Sequence, residues 1–328
     1  MTPHTTLTDW LNRQTSAGVP AALTGTIESI AAACAEIAGI LRTAPIDGLS
    51  GATESTNVQG ETQKPLDIVS NDIFIRHLQE NDDVSILVSE ELSQPLQLQH
   101  QSGEGRYVVA CDPLDGSSNL DVNVTVGSIF SILELETSGG EDALLQPGTK
   151  QLAAGYAAYG NSTSLVLTLG KSVVVFTLDN QGRFILSKAD IAIPAASAEY
   201  AINTARERFW DEATRTYVAD SVAGETGHLG KRYNMRWVGS MVADIHRILM
   251  RGGIFLYPVD SETKEKGGRL RLMYEANPMS LIIEAAGGAA STGFGRILEV
   301  QPNGIHQRIG VIVGSREEVA RIEALYRR

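Results

Sequence analysis

Apolar residues recur at helical spacing in TGTIESIAAACAEIAGILRT (24–43), at Ile27, Ile30, Ala31, Cys34, Ile37, Ala38 and Leu41. This predicts a long helix within a helical stretch 1–44, capped by Thr24 or Thr26 and ended by Pro45 and Gly48. Residues 46–66, rich in Gly, Ser, Thr and Asn, read as a loop. SNDIFIRHLQEN (70–81) reads as a second helix, with Ser70 as its cap and Asp72 in its first turn. Two β-rich runs follow, VSILVSE (84–90) and RYVVACD (106–112), each closing on a carboxylate. Further runs are VTVGSIFSILELE (124–136), AAGYAAYG (153–160), STSLVLTLG (162–170), KSVVVFTLD (171–179) and GRFILS (182–187). The pair flanking Gly170-Lys171 reads as a hairpin.

Ala and Pro accumulate over 187–200, and the boundary between two subdomains, 1–195 and 196–328, is placed there. Beyond it, RWVGSMVADIHRILMRGG (236–253) reads as a helix stopped by two glycines. IFLYP is a short strand, LRLMYEANPMSLIIEAAGG (270–288) a helix, RIGVIVGS (308–315) a strand and REEVARIEALYRR the last helix. Helices and strands alternate irregularly. That favours a layered α+β or mixed α/β protein over a barrel.

Composition narrows the function. The 328 residues carry 27 Lys+Arg against 39 Asp+Glu, a net charge of −12. Such a surface argues against nucleic acid or an anionic membrane as partner. No run of 18 apolar residues appears, so no membrane span is expected. The start, MTPHTTLTDWLNRQ, lacks the basic and apolar regions of a secretory signal. Cys34 and Cys111 both lie in apolar surroundings without a CxxC pair, which predicts reduced core thiols and a cytoplasmic protein.

The densest chemistry is DPLDGSSNLD at 112–121. Asp112 is expected at a strand's end, with Asp115 facing the same cleft and the Leu114 carbonyl between them. Gly116 allows a close bend, and the amides of Ser117, Ser118 and Asn119 then open a helix or nest suited to an anion. Hard oxygens beside phosphate-holding amides suit magnesium. Other acids stand apart: Glu90-Glu91 at a strand end, Glu275 before Pro278, and Glu61 with Asp67 around Lys64-Pro65. Taken singly, each is an ordinary surface charge or helix-dipole partner. His246 lies on an apolar helix face and reads as packed. There is no P-loop, GxSxG or HExxH.

Seven segments, in order, resemble the class I fructose-1,6-bisphosphatases of the lithium-sensitive sugar and inositol phosphatase superfamily. They are STNVQGE (55–61), LDIVSNDIF (66–74), VSEE (88–91), YVVACDPLDGSSNLDVN (107–123), LQPGTKQLAAGYAAYG (145–160), RWVGSMVADIHRILMRGGIFLYP (236–258) and LRLMYEANPMSLIIEAAGG (270–288). The resemblance implies a layered α-β-α-β-α sandwich and hydrolysis of the 1-phosphate of fructose 1,6-bisphosphate. It implies two or three Mg2+ ions, with Mn2+ as substitute, on Glu90, Asp112, Asp115, Glu275 and the Leu114 carbonyl. It implies water activation by Glu61, Asp67 and Glu91, and a 1-phosphate held by Asp115, Gly116, Ser117 and Ser118. The 6-phosphate and sugar would meet Asn203, Arg236, Trp237, Tyr257 and Arg269, with Arg236 reaching in from a neighbour in a homotetramer.

This chain departs from the family where Glu61 replaces Asp, Trp237 replaces Tyr and Arg269 replaces Lys. Thr-Ala-Arg follows Asn203 in place of the usual acidic-glycine pair, which is expected to bring Arg206 near the phosphate. These changes raise the alternative of a sedoheptulose-1,7-bisphosphatase or a dual-specificity enzyme. An inositol-type monophosphatase and a non-catalytic sugar-phosphate binder are weaker alternatives. Thr24, Arg106 and Tyr107 fall near the family's AMP site, but GVPAAL departs from its glycine-rich run, so weak or absent AMP inhibition is expected. The metabolic setting implied is gluconeogenesis or the Calvin cycle.

Overall fold

A computed structural model describes residues 4–49, 64–98, 105–135 and 143–328. The N-terminal helical stretch divides into α1 (Leu7–Ser16) and α2 (Ala21–Leu41). Thr6 caps α1, and Asp9 reciprocates. Neither Thr24 nor Thr26 caps α2, which starts behind Pro20; their hydroxyls instead donate to the Ala21 and Ala22 carbonyls at 3.0 and 2.9 Å. α3 (Pro65–Gln79) begins at a proline instead of behind Ser70. Proline is favoured there because the first helical N–H has no acceptor anyway. The Asp67 carboxylate takes the Lys64 backbone N–H at 2.7 Å, and Ser70 lies buried inside the helix.

The strands β1 (Val84–Ser89), β2 (Leu96–Gln97), β3 (Tyr107–Asp115), β4 (Val126–Glu134), β5 (Gln151–Tyr159), β6 (Thr163–Thr168), β7 (Val173–Leu178) and β8 (Phe184–Lys188) form one sheet. Its order is β2-β1-β3-β4-β5-β6-β7-β8. β1 and β3 run parallel; the other neighbours are antiparallel. β6 and β7 form the expected hairpin, with Gly170 at φ +86° in its turn.

The chain continues through β9 (Glu199–Ile202), α4 (Glu212–Ala223), β10 (Asn234–Met235), α5 (Met241–Arg251), β11 (Ile254–Tyr257) and β12 (Leu270–Arg271). It ends with α6 (Asn277–Ala285), β13 (Ala289–Ser291), β14 (Arg308–Ile309), β15 (Val311–Gly314) and α7 (Arg316–Tyr326). A second sheet has the order β10-β9-β11-β15-β13, and β12 and β14 form a two-stranded sheet. Three expectations change here. The helix read from residue 236 begins only at Met241, behind the Ser240 cap. The run 270–288 splits into β12, a π-helical turn Leu272–Ala276 and α6. The strand read at 308–315 is cut at Gly310 into β14 and β15, which belong to different sheets.

The layers follow from strand periodicity, since successive side chains point to opposite faces. Val109, Cys111, Phe130 and Ala157 share a core with α1, α2 and α3. Ile129, Tyr156, Ala158 and Val166 face α5 and α6. Those two helices also pack on Phe255, Val311 and Val313 of the second sheet, whose far face carries Leu256 and Ile312 under α4 and α7. The protein is an α-β-α-β-α sandwich. By length and composition alone α2 is apolar enough to cross a membrane, yet Ile27, Ile30, Cys34 and Ile37 are buried in the first core. Both cysteines are free and buried, and burial pushes the Cys34 thiol up to about 12. His246 packs edge-on against Tyr156, 2.9 Å from its hydroxyl.

The first core has no room to spare at Gly155. A Cβ there would lie 2.3 Å from the Phe130 ring and 2.7 Å from the Val166 carbonyl oxygen. Gly155→Ala is expected to destabilise the protein by about 1–3 kcal/mol in urea unfolding, the usual cost of overpacking. An unchanged midpoint would contradict this packing.

Candidate active site

Three segments bring the acids together. β3 runs through Asp112 to Asp115, beyond the strand end expected at Asp112. Its register against β4 shifts between those two residues. Pro113 cannot donate to the ladder. The Pro113 carbonyl is instead met by the Ser128 hydroxyl at 2.7 Å, and Asp112 accepts from the Leu114 N–H at 3.0 Å. Asp115 is fixed from across the junction: its Oδ2 accepts from Ser240 Oγ at 3.1 Å and from the Val242 N–H at 2.9 Å. The start of α5 thus grips one carboxylate oxygen. Gly116, at φ +78°, passes so close that a Cβ would stand 2.9 Å from the Ser240 side chain. A 3-10 turn, Ser117–Val122, follows.

Glu90 enters through the parallel pairing of β1 with β3, where its N–H donates to the Cys111 carbonyl at 3.1 Å. Glu275 enters on the π-helical turn, accepting from the Arg271 N–H. The Arg271 side chain, also buried, pairs with Glu90 at 2.8 Å. Oxygens of Asp112, Asp115 and Glu275 lie within 4.8 Å of one another. These are hard donors, the type that oxygen-seeking divalent cations take.

A cavity of about 320 Å³ collects most of the predicted residues. Asp67, Glu90, Glu91, Asp112, Leu114, Asp115, Gly116, Ser117, Ser118 and Glu275 line one part, and Asn203, Trp237, Tyr257 and Arg269 the other. Trp237 stacks on Phe255 at 5.6 Å and 10°, and meets Tyr257 at 5.7 Å. Asn203 Oδ1 accepts from the Ala205 N–H, which leaves its amide group to donate.

Crowding of like charge away from water governs the electrostatics. Burial, opposed by hydrogen bonds from Lys64 and Ser117 and reinforced by Glu90, lifts Asp67 to about 6. Burial likewise lifts Asp115 to about 6 and Glu275 to about 8. Asp112 is pushed well above the carboxylate range by burial and by Glu90, Asp115 and Glu275. The named lining holds six carboxylates against the guanidiniums of Arg269 and Arg271. Such a set strongly favours cations, which would restore the ionised forms.

Arg236 does not line this cavity. It is half exposed and sits 3.4 Å from Glu199. Arg206 is committed elsewhere: it makes a bidentate pair with Asp260 at 2.6 and 2.9 Å and meets Glu262 at 2.8 Å. Its charge is therefore matched, and it lies in an adjoining recess beside Asn203 and Tyr257. Glu61 falls outside the described residues. Sequence reasoning missed Ser240 and Arg271. Ser240 carries a readable helix-cap signal, whereas nothing in the spacing of Arg271 shows that it pairs with Glu90.

Comparisons with known proteins agree across the whole chain. The family model "Fructose-1-6-bisphosphatase, N-terminal domain" matches residues 5–189, and "Fructose-1-6-bisphosphatase, C-terminal domain" matches 193–327. "Fructose-1,6-bisphosphatase class 1" of Halorhodospira halophila is 50% identical over 329 residues, covering 97% of each chain. The holo crystal structure of Leishmania major fructose-1,6-bisphosphatase matches with a TM-score of 0.92 at 38% identity, covering 99% of this chain and 100% of that one. Its T-state structure matches at 0.87 and 37%, with the same coverage. The chain belongs to the class I fructose-1,6-bisphosphatase family.

Proposed function

We propose that this protein hydrolyses the 1-phosphate of fructose 1,6-bisphosphate, releasing fructose 6-phosphate and phosphate, with two or three Mg2+ ions per chain. The observation that carries the reading is a single cavity joining a buried acid cluster, a Gly-Ser turn and a group of aromatic and cationic side chains. Six carboxylates against two guanidiniums leave four negative charges, which two divalent cations would balance. Bound there, Mg2+ or Mn2+ supplies charge neutralisation and Lewis-acid polarisation of the phosphoryl group. Asp112, Asp115, Glu275, Glu90 and the Leu114 carbonyl are the donors assigned to them.

The residues have separable tasks in this reading. The Gly116–Ser118 turn holds phosphate oxygens, since the first amides of a helical turn have no acceptor within it. Asp67, lifted to about 6 in the metal-free fold, is ionised near neutrality and can accept a proton from the attacking water, and Glu91 lines the same cavity. Asn203, Tyr257 and Arg269 grip the distal phosphate and sugar. Arg236, turned from its own cavity, fits delivery to a neighbour's site in a homotetramer. The subdomain division is kept at 195/196, a little beyond the point where the two family models, matching 5–189 and 193–327, meet. The buried free thiols support a cytoplasmic setting. The Trp237 stack supports a second reading, in which the larger indole reshapes the sugar end to admit seven-carbon bisphosphates. Weak or absent AMP inhibition is supported by the burial of Thr24 and Tyr107.

Phosphate release from fructose 1,6-bisphosphate should require Mg2+ and stop in excess EDTA. Asp112→Ala should reduce kcat/KM more than about 100-fold, above the usual loss for a residue behind the ligands. Turnover unchanged by EDTA would rule out the metal reading. Running the assay on six- and seven-carbon bisphosphates decides between the two substrates.

A stability test is independent of turnover. Asp67, Asp115 and Glu275 titrate at about 6, 6 and 8 in the metal-free fold, against ordinary values of 3.8, 3.8 and 4.5. Between about pH 4 and 8 these three groups therefore bind more protons in the folded than in the unfolded chain, and their contribution to metal-free stability falls as pH rises. Cations that compensate the ionised cluster should raise Tm more at about pH 8 than at about pH 5.5. Equal Mg2+ shifts at both values would count against the cluster as the binding site.

A further inference from the structure

His306 lies outside the acid cluster but touches both segments that deliver its glutamates. It belongs to a short strap that backs the π-helical turn. The Leu272 N–H donates to the Gln307 carbonyl at 2.7 Å, and Arg308–Ile309 pairs with Leu270–Arg271. The strap is shaped internally by the Asn303 N–H on Gln307 Oε1 at 2.7 Å. This holds the imidazole against Tyr274, with ring centroids 5.9 Å apart and planes at 74°.

Both ring nitrogens are used. Nε2 stands 2.9 Å from the Leu92 carbonyl oxygen, and Nδ1 stands 2.8 Å from the Tyr274 hydroxyl. A carbonyl only accepts, so Nε2 carries the proton. In the neutral ring Nδ1 then accepts, and the Tyr274 O–H donates to it. Burial, with Arg271 adding to it, lowers the His306 pKa against the Leu92 and Ser93 backbone contacts, which suits a neutral ring. Tyr274 is fully buried and immediately precedes Glu275. Leu92 immediately follows Glu90-Glu91. Within the same turn, the Ser89 carbonyl and hydroxyl meet the Leu92 and Glu91 N–H groups at 3.3 Å each.

We propose that His306 is a positioning residue, a latch that sets the Glu90–Glu91 turn against the Glu275 turn and so fixes the spacing of the metal-binding carboxylates. It acts through main chain and Tyr274, not by touching substrate. The proposal rests on the metal reading above. Groups that orient ligands from behind commonly change metal affinity 10–100-fold when removed.

The test is Mn2+ binding to the full-length protein, read without turnover from the loss of the free Mn2+ EPR signal. His306→Phe keeps a ring but removes both hydrogen bonds, and is expected to weaken binding about tenfold. Tyr274→Phe removes only the Nδ1 contact and should give a smaller loss. His306→Gln can still donate to Leu92 and should recover part of the affinity. In assays, the half-saturating Mg2+ concentration should rise in the same order, with little change in KM for the sugar bisphosphate. Ile322→Val, in the core of α7, controls for lost stability and should bind Mn2+ normally. Should His306→Phe fail to fold, Tyr274→Phe and His306→Gln carry the same comparison. Wild-type Mn2+ affinity in the folded His306 and Tyr274 variants would overturn the latch alone, as would an equal loss in Ile322→Val. A wild-type protein that binds no Mn2+ would overturn the metal reading and the latch with it.

Discussion

Buried like charge is the constraint on which this site depends. Asp112, Asp115 and Glu275 place oxygens within 4.8 Å of one another, away from water, beside Glu90. Each raises the cost of ionising the others, and one buried guanidinium, Arg271, compensates only part of it. A cluster of this type is unfavourable in isolation and favourable around a cation. Strong preference for positive charge is therefore a property of the fold before any substrate arrives.

The fold meets that constraint by using irregular backbone where regular backbone would point the acids apart. Alternate residues of a strand share a face, so Asp112 and Asp115, three apart, would face opposite ways on a regular strand. The register shift at Pro113 changes this, and Ser128 satisfies the carbonyl that the ladder leaves open. The π-helical turn delivers Glu275 just before α6 begins. Such turns recur at functional sites because they displace a side chain from its helical position. The start of α5 contributes differently, tying one oxygen of Asp115 to Ser240 and Val242.

The far end of the cavity follows another design. Trp237, Phe255 and Tyr257 form an aromatic wall, and Asn203 and Arg269 supply donors. Arg206 adds little free charge, because Asp260 and Glu262 neutralise it. The loop carrying Arg236 and Trp237 is held by Asp244, which accepts from the Val238 and Gly239 N–H groups at 3.1 and 3.2 Å. That anchor separates two neighbours: Trp237 lines the cavity, while Arg236 is directed to Glu199.

What the sequence determined by itself is local. The period of Ile27, Ile30, Cys34 and Ile37 specifies α2, the apolar runs specify the strands, and Asp-Pro-Leu-Asp-Gly-Ser-Ser marks the turn at the end of β3. These signals are legible because they depend on neighbours a few residues away. Element starts were less legible, as at Pro65 and Met241, where caps and glycines compete with the apolar pattern. Only tertiary structure decided that Glu90, Glu275 and Asp67 share a cavity with Asp112, that Arg206 is neutralised, and that Arg271 and His306 stand behind the glutamates. The physical reason is that these contacts span tens to hundreds of residues. Their geometry is set by strand register and helix packing, which no single stretch of the chain encodes.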